Sequence, residues 1–377
     1  MSTAAPAVSV LVLGGLGFIG RHFVKYLVDF DLATHIRVVD RVLPVMAYLN
    51  PTFATVMSNP RVEFLQANLA HGPNIDRAFA PSEHCPHRFN LVVALAAETK
   101  YGQPEAVYEA YVRDLRIACA RKAAAENVDW YVEVSTAQVY SGSSSKPAKE
   151  TDAPKPWTVL AKFHLEAELA IRSIPGLRYS VLRLPIVYGP GDRTGLMPRL
   201  VCAAVYRHTG AKMEFLWGED LRIHTVHVQD VAAALWHLLC GGASGEVFNL
   251  ADAGDTTQGA FNKIIEAIFG IETGFYGTLT STLAQFKLEE MVEEANGELM
   301  SGWTDLCRTT GTSMSPLTPY IDKELLMHAH LAVDASKLQR TGFSCSCPQL
   351  TRGLVEDSLR YWTGLSQLPG VPPLQAA

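Results

Sequence analysis

The run Val8–Leu13 followed by Gly14-Gly15-Leu16-Gly17-Phe18-Ile19-Gly20 constrains this chain more than any other stretch. A short β-rich run ends directly in glycines spaced G-x-x-G-x-x-G, and Ile19, Phe23, Leu27 and Phe30 then fall on one helical face. Gly14 permits a tight turn, Gly17 lets backbone approach a pyrophosphate, and Gly20 lets the helix rest against the strand. The helix N-terminus then offers its unpaired N–H groups to the phosphates. Asp40 ends the next strand, Ile-Arg-Val-Val-Asp, 20 residues after Gly20. A carboxylate there accepts hydrogen bonds from ribose hydroxyls and repels a 2′-phosphate, which favours NAD over NADP; Arg41, next in line, is a group that a 2′-phosphate could meet.

Further β-rich runs at Ile36–Val39, Val62–Gln66, Leu91–Ala96, Trp130–Val134 and Tyr179–Leu184 alternate with helical patterns, among them Pro104–Asn127 and Val159–Ile171. This alternation predicts an α/β fold, a doubly wound parallel sheet with a smaller C-terminal substrate lobe. The expected division is a cofactor domain over 1–190, completed by about 224–252, a lobe from 191–223 and 253–365, and a frayed tail at 366–377. Ser141–Pro156 and Gly241–Gly245 read as surface loops, Val247–Leu250 as a strand, and Thr304–Pro319 as a long polar stretch. A net charge of -6 leaves no electrostatic footprint for nucleic acid. No run approaches the roughly 20 apolar residues of a membrane span, and the N-terminus lacks the basic region of a signal peptide, so the cytoplasm is the default address. The seven cysteines are odd in number and match no zinc spacing, which reads as reduced thiols and no metal site.

Other segments extend the pattern in order: Gln66-Ala67-Asn68-Leu69, Ala94-Leu95-Ala96-Ala97-Glu98-Thr99, Ser135-Thr136-Ala137-Gln138-Val139-Tyr140, the run Arg183 to Gly191, His227-Val228-Gln229-Asp230-Val231-Ala232, and Val333 to Leu338 with Gly342-Phe343. On these segments, across roughly residues 8 to 363, the chain resembles the extended short-chain dehydrogenase/reductases, the NAD-dependent epimerase/dehydratase family. The resemblance implies a Rossmann domain with a substrate lobe. It implies NAD held by Gly14, Gly17, Phe18, Ile19, Gly20, Asp40, Asn68, Leu69, Ala96, Ala97, Thr99, Lys162 and Pro185. It implies oxidoreductase or epimerase chemistry on a secondary alcohol or ketone, of the sugar-nucleotide or hydroxysteroid kind. It also implies a homodimer through the helices Pro104–Asn127 and Val159–Ile171.

In that family a Ser/Thr, a Tyr and a Lys carry the chemistry, the last two as Y-x-x-x-K. Thr136 fits the hydroxyl and Lys162 the lysine, but four residues before Lys162 stands Thr158. An aliphatic hydroxyl cannot replace a phenol as a base. Tyr140, Tyr101 and Glu98 are the candidates for a substituted base, although Tyr140 reads more simply as structural. Ala137 and Gln138 replace the Asp-Glu pair of the 4,6-dehydratases, which argues against dehydration. The arginine that clamps a substrate phosphate in nucleotide-sugar enzymes is displaced by one residue, with Ile223 at its place and Arg222 before it. The segment Pro316 to Tyr320 is compatible with a bulky substrate. Retention of Thr136 and Lys162 puts an enzyme first; a cofactor-binding scaffold or sensor without turnover is the alternative.

Overall fold

Val10, Leu11, Val12 and Leu13 are all fully buried, so the first strand has no solvated face. Such a strand belongs in the middle of a sheet covered by helices on both sides. The computed structural model, which describes residues 8–142, 146–241, 244–284 and 287–374, places it there. Residues of the expected loops at 143–145 and 242–243, and of the tail at 375–377, lie outside the described residues. The strands are β1 (Ser9–Leu13), β2 (His35–Asp40), β3 (Val62–Gln66), β4 (Leu91–Ala94), β5 (Trp130–Thr136), β6 (Tyr179–Leu184), β7 (Ile186–Tyr188), β8 (Met213–Phe215), β9 (Thr225–His227), β10 (Glu246–Asn249) and β11 (Thr273–Phe275). Seven of them form one sheet in the order β10-β6-β5-β4-β1-β2-β3, parallel throughout. The order reverses beside β1, and the crevice at the carboxyl ends of these strands is where such sheets bind ligands.

The helices are α1 (Phe18–Asp29), α2 (Pro51–Met57), α3 (Gly72–Phe79), α4 (Glu105–Tyr108), α5 (Leu115–Ala125), α6 (Val159–Arg172), α7 (Met197–Thr209), α8 (Val228–Leu239), α9 (Gln258–Phe269), α10 (Gly277–Ala284), α11 (Leu288–Thr310), α12 (Ser336–Gln339) and α13 (Arg352–Gly364). One face of the sheet buries Val10, Val12, Val93 and Val132 against Phe23 and Leu27 of α1 and Leu235 of α8. The other buries Leu11, Leu13, Val92 and Tyr131 against Ala120 of α5 and Ile171 of α6. A separate core gathers Leu200, Phe261, Ile265, Trp303, Leu306 and Trp362 from α7, α9, α11 and α13. Pro185, which has no N–H to continue a ladder, separates β6 from β7, and β7 leaves the main sheet to pair with β9.

Three expectations differ from the structure. The segment read as one helix from Pro104 to Asn127 is α4 and α5 joined by a π-helical stretch, Glu109–Asp114, and Asn127 lies outside it at φ 52°. The polar stretch from Thr304 begins inside α11, because Trp303 and Leu306 bury a narrow stripe of an otherwise solvated helix. In the expected tail, Leu368 is buried and the Gly370 carbonyl accepts from Arg207. No helix among the described residues is long and apolar enough to cross a membrane.

Candidate cofactor and catalytic site

The glycine turn lies between β1 and α1. Gly14 has φ +84°, and a Cβ on it would fall 2.6 Å from the Ala96 nitrogen at the end of β4. A Cβ on Gly20 would fall 2.4 Å from the Gly14 carbonyl oxygen. Both glycines are therefore required by the fold itself. Gly17 differs: its φ of −61° suits any residue, and a Cβ there would approach only the Gly14 oxygen, at 3.1 Å. Its glycine leaves space in front of the helix rather than inside the protein. Gly17 is also the N-cap of α1 and supplies no side-chain cap, so the N-terminal N–H groups around Phe18 and Ile19 are left to other partners.

Asp40 stands against this turn. Its carboxylate accepts from the Leu16 N–H at 3.1 Å and the Val42 N–H at 3.1 Å, and burial raises its pKa. Arg41 reaches Glu98 across the strand ends, 3.7 Å away, and the other Glu98 oxygen accepts from the N–H groups of Thr99 and Lys100. Ala96 and Ala97 are half-buried beside Gly14, and Thr99 is exposed. Asn68 turns its Oδ1 to the Ala70 N–H at 3.1 Å, with Leu69 buried behind it and Pro185 buried beyond β6. These residues fit a dinucleotide: a cradle cleared of Cβ atoms, a helix start lacking a side-chain cap, and a carboxylate at the tip of the second strand.

The expected catalytic residues are arranged differently from the family's triad. Thr136 ends β5, and its hydroxyl accepts from the Gln138 N–H at 3.2 Å. Thr158 is the N-cap of α6: it accepts from the Ala161 N–H at 3.1 Å and donates to Gln138 Oε1 at 3.0 Å. It is 3% exposed, and these two bonds occupy its hydroxyl. Lys162, on the first turn of α6, is half-exposed and pairs with Glu105 at 3.4 Å, its Nζ lying over the Phe163 ring. Tyr101 donates to the same Gln138 Oε1, at 3.0 Å. Gln138 thus holds Thr158 and Tyr101 on its side-chain oxygen and Thr136 on its backbone N–H.

Several motif residues prove to be braces. Tyr140 donates to Asn249 Oδ1 and accepts from Arg183, whose guanidinium forks onto buried Glu168. Asp230 is 1% exposed and accepts from Ser346 and Cys347. Arg222 pairs with Asp255 at 3.2 Å. The sequence reading passed over Gln138 as a hub, because its partners lie far away in the chain. It passed over Arg21 as well, whose guanidinium donates to the carbonyls of Leu16, Gly17 and Ala47 and to the Tyr361 hydroxyl on α13. The placement of Arg21 directly after Gly20 was its only signal. Among the described residues no cluster of His, Cys, Asp and Glu is arranged to hold a metal ion.

The sequence pattern of the NAD dependent epimerase/dehydratase family matches residues 10–251. A low-salt glycan biosynthesis protein of Haloferax volcanii is 24% identical over 277 residues, 70% of this chain and 83% of that protein. A dTDP-glucose 4,6-dehydratase of an Actinoplanes species is 24% identical over 268 residues, 68% and 80% of the two chains. Among solved structures, a double mutant of dTDP-glucose 4,6-dehydratase from Streptomyces venezuelae with NAD bound superposes with TM-score 0.68 at 19% identity, covering 94% of this chain and 96% of its own. The UDP-glucuronic acid 4-epimerase of Bacillus cereus, in complex with UDP-glucuronic acid and NAD, gives TM-score 0.67 at 16% identity, covering 95% and 100%.

Proposed function

Because the chain belongs to the NAD dependent epimerase/dehydratase family, we propose that it is an NAD-dependent oxidoreductase or epimerase acting on a secondary alcohol or ketone of a sugar nucleotide. The observation that carries this reading is the cradle itself. Gly14 and Gly20 are glycines that the fold demands, whereas a Cβ on Gly17 would meet only the Gly14 oxygen, at 3.1 Å, and a ligand in front of α1 accounts for its glycine better than the fold does. The pyrophosphate would rest on the N-terminus of α1, with the adenosine ribose on Asp40 and the adenine beside Asn68 and Leu69. Asp40 disfavours a 2′-phosphate, and the pairing of Arg41 with Glu98 draws away the cation that would welcome one. NAD is therefore preferred over NADP. When bound, the nicotinamide accepts or returns a hydrogen with its electron pair at the substrate carbon. Ala96, Ala97, Thr99 and Pro185 would wall the cofactor's path, and Thr136 would fix the substrate hydroxyl. Lys162 would leave Glu105 for the nicotinamide ribose; an exposed pair of this kind resists by no more than ~1 kcal/mol.

A nucleotide substrate brings a diphosphate, which needs a cation. Arg222 is occupied with Asp255. Arg199, in the first turn of α7 just after the loop that follows β7, has no carboxylate partner among the described residues, and burial lowers its pKa. A desolvated guanidinium of this kind is suited to an incoming anion. A homodimer and a cytoplasmic address belong to the same proposal.

One observation favours a second reading, an NAD-binding protein without turnover. Thr158 is spent as a helix cap and Lys162 is turned to Glu105, so the usual acid–base pair is not assembled. The experiment that separates the two is calorimetry of NAD and NADP binding, followed by incubation with NAD and UDP-glucose, UDP-glucuronic acid or dTDP-glucose. Growth of the reduced-nicotinamide absorbance band, or conversion of the sugar seen by chromatography, supports the enzyme. Tight NAD binding with no conversion supports the second reading, and absence of NAD binding refutes both. With an active probe, Arg199→Met should raise KM on the order of 10-fold, the loss of one charge-assisted contact of roughly 1.4 kcal/mol.

A further inference from the structure

Thr158 stands where the family's tyrosine would be, yet a phenol hydroxyl reaches the same spot from another direction. Tyr101 follows the strand-end segment Ala96 to Thr99 and packs against the buried cluster of Tyr108, Val112, Leu160 and Phe163. Its hydroxyl lies 3.0 Å from Gln138 Oε1, and the Thr158 hydroxyl lies 3.0 Å from that same oxygen. The phenol and the first atoms of the missing tyrosine are therefore separated by a single acceptor. The neighbouring backbone of Gln138 carries Thr136, so the phenol, the substrate-fixing hydroxyl and the start of α6 converge on one residue. The C-terminal lobe closes over this point. A Cβ on Gly102 would fall 2.4 Å from Asp322 Oδ2, and Glu324 Oε1 accepts from the Val159 N–H at 2.9 Å. Glu324 Oε2 is buried and has no hydrogen-bond partner among the described residues, which a polar substrate group would remedy.

We propose that Tyr101 is the proton-transfer residue of this chain, taking the role that the tyrosine absent at position 158 would have had. The inference rests on the oxidoreductase reading above. Burial, together with the nearby carboxylates of Glu324 and Asp322, raises the phenol's pKa well above its ordinary value. Tyr101 therefore rests as a proton donor, set for the direction in which a carbonyl is reduced. The carbonyl carbon takes up the hydrogen and electron pair that a reduced nicotinamide supplies. Tyr101 breaks its O–H bond and passes the proton to the substrate oxygen, keeping the bonding pair as a phenolate that solvent reprotonates. Gln138 positions the phenol; in this chain it replaces the acidic residue expected beside the catalytic threonine, and an amide orients the hydroxyl without adding a second negative charge.

The test compares wild type with Tyr101→Phe, using NAD and the three probes UDP-glucose, UDP-glucuronic acid and dTDP-glucose, whose oxidation runs the same proton transfer in reverse, the Tyr101 phenolate taking the hydroxyl proton. The expected result is an unchanged NAD affinity by calorimetry and a kcat lowered by roughly 10²–10⁴-fold, the usual worth of positioned proton transfer. A second measurement needs no variant activity. Tyrosine labelled with ¹³C at Cζ gives one resonance that disappears in Tyr101→Phe, and in the wild type this resonance should move when the active probe joins the NAD-bound protein. Undiminished turnover by Tyr101→Phe, or an unmoved resonance, overturns the assignment and leaves the oxidoreductase reading standing. A wild type that binds NAD and converts none of the probes overturns the assignment in favour of the non-catalytic reading. A wild type that does not bind NAD removes both readings together.

Discussion

The distinction between Gly14 and Gly17 can be put to a quantitative test with two alanine substitutions. Gly14→Ala places a side chain at φ +84° and a Cβ 2.6 Å from the Ala96 backbone nitrogen. The left-handed conformation alone costs roughly 1–2 kcal/mol, and a backbone atom cannot swing aside as a side chain would, so the total is about 3 kcal/mol. Unfolding entropy near 2.1 cal/mol/K per residue gives about 0.8 kcal/mol/K for 377 residues. The melting temperature should therefore fall by about 4 °C. Gly17→Ala has an ordinary φ and one close contact, 3.1 Å to the Gly14 oxygen, so it should cost about 1 kcal/mol as an N-cap change and about 1 °C. Cofactor affinity should move in the opposite order. On the proposed cradle the added methyl would stand where the pyrophosphate rests, and NAD should bind on the order of 100-fold more weakly, about 2.7 kcal/mol. Differential scanning calorimetry gives the first pair of numbers and isothermal titration gives the second. Wild-type NAD affinity in Gly17→Ala, with its fold intact, would falsify the cradle argument; an undiminished melting temperature for Gly14→Ala would show that Ala96 yields more readily than a packed strand end should.

Lys162→Met should weaken NAD binding several-fold by titration while leaving the unfolding free energy in urea within about 0.5 kcal/mol, because its pair with Glu105 is exposed; an unchanged Kd would place Lys162 outside the cofactor site. Light scattering at micromolar concentration should give twice the chain's 41.2 kDa, and Leu169→Glu, at a residue 55% exposed on α6, should return it to one chain. His22, which hydrogen-bonds the Pro190 carbonyl through Nε2, has its pKa pushed down to about 3 by burial, so the native ring stays neutral while the unfolded ring takes a proton near 6.5. Stability from this group is full above pH 6.5 and is lost as pH falls from there towards 3; at pH 5 the loss is about 2 kcal/mol. Other buried histidines titrate too, so the measurement is a difference: His22→Gln should narrow the gap between pH 7 and pH 5 urea stabilities by that amount.

What could be seen in the sequence follows from how local each feature is. Most strands of the main sheet were legible because their residues are buried on both faces, and Tyr179–Leu184 falls where its β-rich residues begin and end; the edge strand Val62–Gln66 is only partly buried and was legible from its β-rich residues alone. The glycine turn was legible because three glycines at one spacing directly follow a fully buried strand. The π-helical stretch was not, since Glu109–Asp114 carries the same residue types as the α-helical turns around it. Most of α11 was obscure for a different reason: Gly297 and Gly302 interrupt it, and only Val292, Asn296, Trp303 and Leu306 are buried. The hardest feature was the one that decides the chemistry. Thr158 reads as a loss when it is compared with a tyrosine, and as an ordinary N-cap when it is read with the helix it begins. Its relation to Tyr101 passes through Gln138, 20 residues from Thr158 and 37 from Tyr101, and the fold brings those segments together.

The same reasoning explains why the lobe and the cradle are one unit. The Arg21 guanidinium is 7% exposed, and the partners found for it are oxygen atoms of the carbonyls of Leu16, Gly17, Ala47 and Tyr48 and of the Tyr361 hydroxyl. Burial lowers its pKa, and the Tyr361 hydroxyl, which itself donates to the Tyr48 carbonyl, partly offsets this. The hydrogen bonds of this buried cation go to neutral dipoles, with the Asp40 carboxylate and the Arg193 guanidinium acting on it with opposite sign, and it lies directly behind the glycine turn. Its field therefore adds to the positive end of α1 at the place where a pyrophosphate's charge would come to rest. Through Tyr361 the same guanidinium is tied to α13, and through His22 the next residue of α1 is tied to the loop that leads into α7. The helix that presents the cradle is thus braced by both ends of the lobe.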